Sequence, residues 1–269
     1  MSTISIFGPT GTFKSTFPFT MLEKVPGKLF IFDLESGVSR AEWRFKHLKD
    51  RYDIWSPALL EDDALVQLFT LNRINKINPM QAGKRERYNE IVNKFVKVVR
   101  DPGVSIISID TGKVFWEVDC DSYLQELQEA IEDRNQYISK NNETAREKQP
   151  LIEQKQQLGQ MEYRTPGDRF RLLTTTAKAY GKHLVIINHE RPQREPKLVN
   201  GKIENIIIPG KFEIDGFNQT ERLSDWVLET KFEDVDKQHR SAIVRKSPVG
   251  PELVGFKMMQ EDSKTKIKY

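Results

Sequence analysis

Several residue types that mark common protein classes are scarce in this chain of 269 residues. It has one cysteine, Cys120, which excludes a disulfide framework and any metal site built from several cysteines. Its four histidines lack the close spacing of zinc ligands. No apolar run approaches the roughly 18 residues of a membrane span, and no signal peptide is evident at the N-terminus. We therefore expect a soluble cytoplasmic protein that does not associate with membranes.

The chain also has little net charge. Forty-two Lys and Arg residues stand against 39 Asp and Glu residues, which leaves +3 and does not by itself indicate a nucleic-acid-binding protein. The mean hydropathy of −0.58 is low for a globular protein. The 15 Phe, 7 Tyr and 4 Trp residues are nevertheless enough to build a core. The excess polarity should therefore be concentrated in one region.

That region is residues 113–165, which carry eleven acidic and seven basic residues. Its apolar residues form two short helical stripes: Leu124, Leu127 and Ile131, then Leu151, Leu158 and Met161. The pattern predicts a charged helical hairpin, or a mobile insertion, that turns near Asn141 and Asn142.

The rest of the chain alternates between strand and helix patterns. Strands are predicted at 4–7, 29–32, 52–55, 104–109 and 184–187, with a terminal strand pair at 225–232 and 241–246. Helices are predicted at 14–24, 62–77, 84–100 and after a cap at Asp168, and residues 190–224 are expected to be rich in loops. This alternation predicts an α/β fold with a mostly parallel central sheet and helices on both faces.

The most informative stretch reads GPTGTFKST and follows the first predicted strand. It resembles the P-loop pattern G-x-x-x-x-G-K-[ST], in which backbone N–H groups and a helix N-terminus surround phosphates. Lys14 would reach the β and γ phosphates, and the Ser15 hydroxyl would bind Mg²⁺. The candidate nucleotide-binding residues are Gly8, Pro9, Thr10, Gly11, Thr12, Phe13, Lys14, Ser15 and Thr16.

Phe13 departs from the pattern, because it stands where a glycine is expected before the lysine. If this position requires a positive φ, a phenylalanine costs on the order of 1–3 kcal/mol of strain. Nucleotide affinity or hydrolysis would then be reduced.

Three polar residues follow buried strands further along the chain. Asp110 ends the strand at 104–109 and would hold a magnesium ion through water. Glu35 follows the strand at 29–32, where a carboxylate can polarise an attacking water. His189 follows the strand at 184–187 and can contact a γ-phosphate. The alternative interpretations are a strand-end turn for Asp110, a solvated loop acid for Glu35 and a structural histidine for His189.

Taken in order, these positions resemble the RecA-core P-loop ATPases, and the short chain is most similar to the phage-encoded RecA-like proteins implicated in single-strand annealing. The resemblance covers roughly residues 3–35, 84–112 and 168–247. It implies one RecA-like ATPase domain over 1–269, with a helical insertion at 113–165 and a C-terminal tail at 248–269.

The same resemblance implies roles for residues and partners. Lys14, Glu35 and His189 would be catalytic, Ser15 and Asp110 would hold the metal, and ATP and Mg²⁺ would be the cofactors. Two basic residues on the last predicted strand would act across an interface of a homo-oligomer on the neighbour's γ-phosphate: Arg245 and Lys246. Single-stranded DNA is the expected partner, in the host cytoplasm if the protein is phage-encoded. A solvated basic strand end is the alternative for the pair.

Local charge gives mixed support for DNA binding. The acidic insertion argues against a basic groove there, whereas residues 190–211 carry +2, residues 72–100 carry +6 and residues 236–269 carry +4. Such segments neutralise phosphates in a salt-dependent way, although charge runs are often only solvated faces. No aromatic residue is interleaved within 191–211 to stack on bases.

Three functions remain open at this point. The first is an ATPase of recombination, annealing or replication that acts on single-stranded DNA. The second is a packaging or helicase motor with the same core. The third is a nucleotide-gated binding or assembly protein that hydrolyses little ATP, which Phe13 and the charged insertion favour.

Overall fold

The computed structural model describes residues 1–57, 83–199, 202–233 and 239–262. Within these ranges the chain forms two compact units. The first comprises Met1–Ser56, Lys97–Phe115 and Arg171–Tyr269, and the second comprises Pro57–Val96 and Trp116–Phe170. The helix predicted at 62–77 lies outside the described residues. No helix in the described ranges has the length and apolar character needed to cross a membrane.

The structure contains the following strands and helices. The strands are β1 (Thr3–Phe7), β2 (Lys28–Asp33), β3 (Tyr52–Trp55), β4 (Val104–Asp110), β5 (His183–Ile187), β6 (His189–Val199), β7 (Lys202–Asp215), β8 (Trp226–Phe232), β9 (His239–Lys246) and β10 (Lys257–Asp262). The α-helices are α1 (Phe17–Leu22), α2 (Ser39–Glu42), α3 (Lys84–Arg100), α4 (Gly112–Asn142), α5 (Arg164–Ala179) and α6 (Thr220–Leu223). Short 3-10 segments cover Lys14–Thr16, Trp43–Arg51 and Pro251–Leu253.

The first unit is built on an eight-stranded sheet in the order β10-β9-β8-β1-β5-β4-β2-β3. The six strands from β8 to β3 are parallel to their neighbours, whereas β9 and β10 add an antiparallel edge. The predicted fold class, an α/β fold with a mostly parallel sheet, is therefore confirmed. The predicted terminal strand pair is β8 and β9, and β10 is a further strand that the sequence pattern did not indicate.

The central strands are buried on both faces, as expected for a parallel sheet. All five residues of β1 are buried, as are four of the five residues of β5. Successive side chains of a strand point to opposite faces, so both faces of the sheet are covered at this point. Continuous apolar runs of this kind are typical of parallel sheets, because their crossover connections cover both faces.

Aromatic packing fixes the segments around β2 and β3. Phe19 of α1 stacks on Phe45 with ring centroids 4.9 Å apart, and it meets Tyr52 of β3 edge-to-face at 5.0 Å. All three side chains are buried in one core cluster. Such pairs contribute on the order of 0.5–1.5 kcal/mol beyond the burial of their area. This cluster therefore anchors the short elements that flank the loop after β1.

Residues 190–224 differ from the prediction of a loop-rich segment. Most of them form an antiparallel ribbon of β6 and β7, which pairs His189 with Asp215 at one end and Val199 with Lys202 at the other. The prediction was wrong because Pro192, Pro196 and Pro209 were taken to break strands. In a two-stranded ribbon each strand has a free edge, where a proline loses no ladder hydrogen bond.

The charged region in the second unit also differs from the prediction. It contains one long helix, α4, and the second stripe at Leu151, Leu158 and Met161 is not helical. Instead, an extended segment returns along α4. Amide side chains of α4 form hydrogen bonds with the backbone of this extended segment: Asn142 with Gln149, Asn135 with Ile152 and Gln128 with Lys155, at 2.5–2.8 Å.

The spacing of these amides explains the extended segment. The helix residues are seven apart, which is about 10.5 Å along an α-helix. Their backbone partners are three apart, which is about 10 Å along an extended chain. The two rises match, so one row of Asn and Gln side chains can satisfy the backbone of the returning segment.

Helix α5 begins earlier than predicted. It starts at Arg164, so Asp168 is not an N-cap but lies inside the helix, where its carboxylate is 3.7 Å from the Arg164 guanidinium. Pro166 falls within the first turn, where a backbone N–H has no partner in the helix, so the proline does not end it. The predicted stop at Gly181 is confirmed by its left-handed φ of 74°.

A buried ionic cluster joins helices of the second unit. The Arg169 guanidinium donates to Asp119 at 3.1 Å and to Glu126 at 3.1 Å, and it lies within 5.5 Å of the rings of Tyr88 and Tyr123. The Asp119 side chain is fully buried. Burial raises the pKa of Asp119 to about 7, although the bonds from Arg169 oppose this shift. The cluster therefore depends on Arg169 to compensate a carboxylate that is removed from water.

We expect Arg169→Met to lower the free energy of unfolding by about 3–5 kcal/mol, because it leaves Asp119 buried without its cation. Denaturant unfolding at pH 7 measures the change. The matched control is Arg164→Met on the same helix, whose side chain is 82% exposed and should change stability by less than about 0.5 kcal/mol. Equal effects of the two substitutions would contradict a structural role for the cluster.

Candidate functional site

Four neighbouring strands of the sheet end at the same level. The register pairs Ile6 of β1 with Ile187 of β5, Ile187 with Asp110 of β4, and Asp110 with Asp33 of β2. The loops that follow these strands therefore emerge side by side. In open α/β sheets this carboxyl edge is where ligands bind.

The loop after β1 approaches β8 very closely. Gly8 has a φ of 147°, and a Cβ at this position would overlap the carbonyl oxygen and hydroxyl of Thr230. The Thr12 hydroxyl lies 2.7 Å from the Thr230 hydroxyl and donates to the Pro9 carbonyl at 2.7 Å. Glycine is thus required at position 8, and the two threonines hold the loop to the sheet.

Phe13 occupies the left-handed region, with φ 59° and ψ 30°. A residue with a Cβ pays about 1–2 kcal/mol for this conformation. Strain at Phe13 is predicted from the sequence if this position has a positive φ, and the structure shows that it does. The predicted helix from Lys14 begins as a 3-10 turn at Lys14–Thr16, and α1 follows only from Phe17.

Lys14 lies under the loop and is only 7% exposed. Its ammonium group donates to the carbonyl oxygens of Gly8 and Pro9, each at 2.8 Å. Burial lowers the pKa of Lys14, and the charges of nearby carboxylates oppose this shift: Asp110, Glu190 and Glu35. The loop thus holds a desolvated lysine among acidic groups.

Ser15 and Asp110 are in direct contact. The Ser15 hydroxyl donates to a carboxylate oxygen of Asp110 at 2.5 Å. Burial raises the pKa of Asp110 to about 6, and the nearby carboxylates of Asp33 and Glu35 add to the shift while the Ser15 bond opposes it. The loop and β4 thus bring together two oxygen groups, the Ser15 hydroxyl and the buried Asp110 carboxylate.

Glu35 is held at both carboxylate oxygens. The Thr111 hydroxyl donates to one oxygen at 2.9 Å, and Nε2 of His189 lies 2.9 Å from the other. The Glu35 and His189 side chains are each 33% exposed. The structure thus brings together the three strand-end residues singled out from the sequence: Glu35 and His189 in contact, and Asp110 directly before Thr111.

Two residues that support Glu35 were not singled out from the sequence. Asp33 is buried and accepts hydrogen bonds from the backbone N–H groups of Gly37 at 2.9 Å and Val38 at 3.1 Å, which closes the turn that carries Glu35. Thr111 supplies the hydroxyl described above. Asp33 had a recognisable signal, because an aspartate ahead of a Ser-Gly pair favours a turn closed by its side chain.

Glu190 and Glu229 form an acidic pair that interacts electrostatically with the site. Burial raises the pKa of Glu190, the charge of Glu229 adds to this shift, and Lys14 opposes it. Glu229 also forms an ion pair with Arg245. No sequence spacing indicates this group, because Glu190 is the second residue of β6 while Glu229 lies on β8.

The two basic residues predicted to act in trans have partners within their own chain. Arg245 pairs with Glu229 and keeps a side chain that is 51% exposed. Lys246 donates to the carbonyl oxygens of Glu221, Arg222 and Ser224 at 2.6–3.2 Å, at the end of α6. Their action on a neighbouring subunit stays a prediction.

The donor set is compatible with a nucleotide and a magnesium ion. Mg²⁺ takes oxygen ligands and usually combines one or two protein carboxylates with substrate phosphates and waters, which fits a hydroxyl–carboxylate pair such as Ser15 and Asp110. In the described ranges no group of three or more His, Cys, Asp or Glu side chains is arranged to hold a metal ion.

Comparisons with known proteins give only distant similarities. No protein-family model and no curated protein matches the chain. Among solved structures, a RadB recombinase is 13% identical with a TM-score of 0.45, and the match covers 94% of this chain and 84% of that one. A KaiC-like protein from the hyperthermophilic archaeon Pyrococcus horikoshii OT3 is 14% identical with a TM-score of 0.38, covering 91% and 79%. The fold class rests on the strand order above.

We expect Gly8→Ala to disrupt the loop, because its methyl group has no space beside Thr230 and the φ of 147° disfavours a Cβ. The free energy of unfolding should fall by about 1–3 kcal/mol, as measured by urea unfolding. Gly37→Ala is the control, since a Cβ there meets nothing within 4 Å. A Gly8→Ala protein as stable as the Gly37→Ala protein would exclude the tight approach to β8.

Proposed function

We propose that this chain is a RecA-like P-loop ATPase that acts on single-stranded DNA in phage-type recombination, annealing or replication. The observation that carries the proposal is the cluster at the ends of four adjacent strands. It combines a buried lysine in a tight loop, a serine–aspartate pair and a glutamate held by Thr111 and His189. These are the residues expected to bind phosphates and a metal ion and to activate water.

The loop residues bind and neutralise the phosphates. Lys14 exchanges its bonds to the Gly8 and Pro9 carbonyls for phosphate oxygens, which gives its desolvated charge a better partner. Ser15 and Asp110 would hold Mg²⁺, which would supply positive charge to neutralise the phosphates. Asp110 is available for this role because its carboxylate already faces the Ser15 hydroxyl.

Glu35 orients and polarises the attacking water. Its two oxygens are fixed by Thr111 and His189, so the carboxylate cannot rotate freely, and its partial exposure leaves it open to solvent. A fixed base close to the phosphates lowers the entropic cost of reaction. His189, which is bonded to Glu35 and begins the ribbon, links the state of the phosphate site to β6.

The ribbon is the proposed contact for single-stranded DNA. Its described residues include four exposed cations, Arg191, Arg194, Lys197 and Lys211, of which Arg191 is paired with Glu213. Contacts from such residues to the DNA backbone release counterions, so we expect binding to weaken steeply with salt. The basic segments at 72–100 and 236–269 lie partly outside the described residues, and Lys84 and Arg85 of the first are paired with Asp121 and Glu129.

We further propose a homo-oligomer in which Arg245 and Lys246 act on the nucleotide of a neighbour. Arg245 supports this role better, because its half-exposed side chain can leave Glu229 for a more strongly charged phosphate. Lys246 is held by three carbonyl groups and is suited to fixing the end of α6.

One observation favours a second candidate, a nucleotide-gated binding or assembly protein with little turnover. Phe13 holds the loop in a strained conformation immediately before Lys14. Steady-state ATP hydrolysis with and without single-stranded DNA separates the two functions. DNA-stimulated turnover supports the ATPase, and tight ATP binding without turnover supports the gated protein.

We expect Lys14→Ala to abolish ATP binding, because no other buried cation described in the loop can replace its charge. Equilibrium binding of a fluorescent ATP analogue measures the loss, which should exceed about 100-fold for a charge-assisted phosphate contact of roughly 3 kcal/mol. Lys46→Ala removes an exposed lysine and serves as the control. Unchanged affinity in Lys14→Ala would remove the P-loop assignment.

We expect Glu35→Gln to keep ATP binding but to lower the hydrolysis rate by about 10²–10⁴-fold, because the amide cannot accept the proton of the attacking water. Steady-state phosphate release measures the rate, and Asp53→Asn at an exposed position is the control. If turnover persists in Glu35→Gln, the catalytic base lies elsewhere.

A further inference from the structure

The ring of Phe13 contacts two arginines. The guanidinium carbon of Arg44 is 4.2 Å from the ring centroid, and that of Arg240 is 4.1 Å from it. Both distances are within the range of a cation–π contact, so the ring interacts with two guanidinium groups. Arg44 also lies 5.2 Å from the Trp43 ring, and Arg240 lies 5.5 Å from the Phe232 ring. We call these five residues the arginine–aromatic stack.

The stack connects three separate parts of the first unit. Phe13 belongs to the loop after β1, Arg44 to the 3-10 segment before β3, and Arg240 to β9. Burial and the charge of Arg240 both lower the pKa of Arg44, so the two guanidinium groups repel each other. The Phe13 ring offsets part of this repulsion, because its π system attracts cations.

Phe13 also begins the turn that carries Lys14 and Ser15. Its carbonyl oxygen accepts hydrogen bonds from the Thr16 backbone N–H at 3.0 Å and from the Thr16 hydroxyl at 2.6 Å. If Phe13 left the left-handed region, this carbonyl would rotate and the 3-10 turn would lose both bonds. The position of the ammonium and hydroxyl groups in the candidate site thus depends on the conformation of Phe13.

We propose that Arg44 and Arg240 are positioning residues that clamp Phe13 in the left-handed conformation which a glycine would adopt freely. The clamp fixes Lys14 and Ser15 for phosphate binding, and in this respect it rests on the proposed function. Phe13 therefore keeps the backbone conformation expected of a glycine at this position, provided that both guanidinium groups hold its ring.

The test removes the arginines in two backgrounds. Arg44→Met and Arg240→Met are made in the natural chain and in Phe13→Gly, and the Kd for ADP is measured for each protein. In the natural chain each substitution should weaken binding about fivefold, the fold-change expected for one cation–π contact. In Phe13→Gly, which should bind ADP at least as tightly as the natural chain, each should change the Kd by less than twofold.

Two further variants separate positioning from simple packing. Phe13→Leu keeps the Cβ but removes the π faces, so it should bind ADP more weakly than Phe13→Gly, whereas Phe13→Tyr should retain natural affinity. Lys46→Met, which removes an exposed cation from the same 3-10 segment as Arg44, should have no effect. A fivefold loss that persists in Phe13→Gly would overturn the proposal, because the arginines would then contact the nucleotide directly.

Urea unfolding of the same proteins without nucleotide keeps the two proposals separate. The clamp predicts that the effects of Arg→Met and Phe13→Gly on stability are not additive, whereas additive effects would overturn it. If the natural chain binds no ADP, the proposed function fails and the positioning role fails with it. In that case, non-additive effects of the substitutions on stability would still establish that the two arginines hold the Phe13 ring.

Discussion

The lateral register of four parallel strands is the constraint on which the candidate site depends. Hydrogen bonding aligns Ile6, Ile187, Asp110 and Asp33 in one row, so the loops that follow begin at the same level. A slip of one residue in β4 would turn the Asp110 side chain to the opposite face of the sheet, since side chains alternate along a strand. The contact between Ser15 and Asp110 exists because backbone pairing in the buried core holds this register.

Charge burial at the strand ends follows from this arrangement. Lys14 is desolvated and surrounded by carboxylates, while burial and nearby acids raise the pKa of Asp110 to about 6. The burial of each group costs free energy. A bound phosphate and a bound cation would compensate this cost. Such concentrations of unfavourable charge and strain are common at functional sites. Phe13 belongs to the same pattern, because its left-handed backbone lies directly before Lys14.

Each error in the sequence interpretation has a physical cause. The ribbon of β6 and β7 was taken for loops because proline signals a break, yet an edge strand tolerates it. Leu151, Leu158 and Met161 have helical spacing, but Asn135 and Asn142 satisfy the backbone of that segment in an extended form. Asp168 resembled an N-cap because Pro166 and Gly167 precede it, although a proline is acceptable in a first turn. In the first two cases, backbone pairing or side-chain bonding to another segment decided the local structure.

The sequence by itself determined the parallel sheet, most of its strands, the phosphate-loop pattern and the identity of the strand-end residues Glu35, Asp110 and His189. Local spacing and hydrophobicity are enough for these features, because they reflect backbone preferences and burial. Only the tertiary structure decided that Thr111 and His189 hold Glu35, that Glu190 lies close to Lys14 and Glu229, and that two arginines contact Phe13. These contacts join residues up to 227 positions apart, such as Phe13 and Arg240, and they arise only when the strands pair.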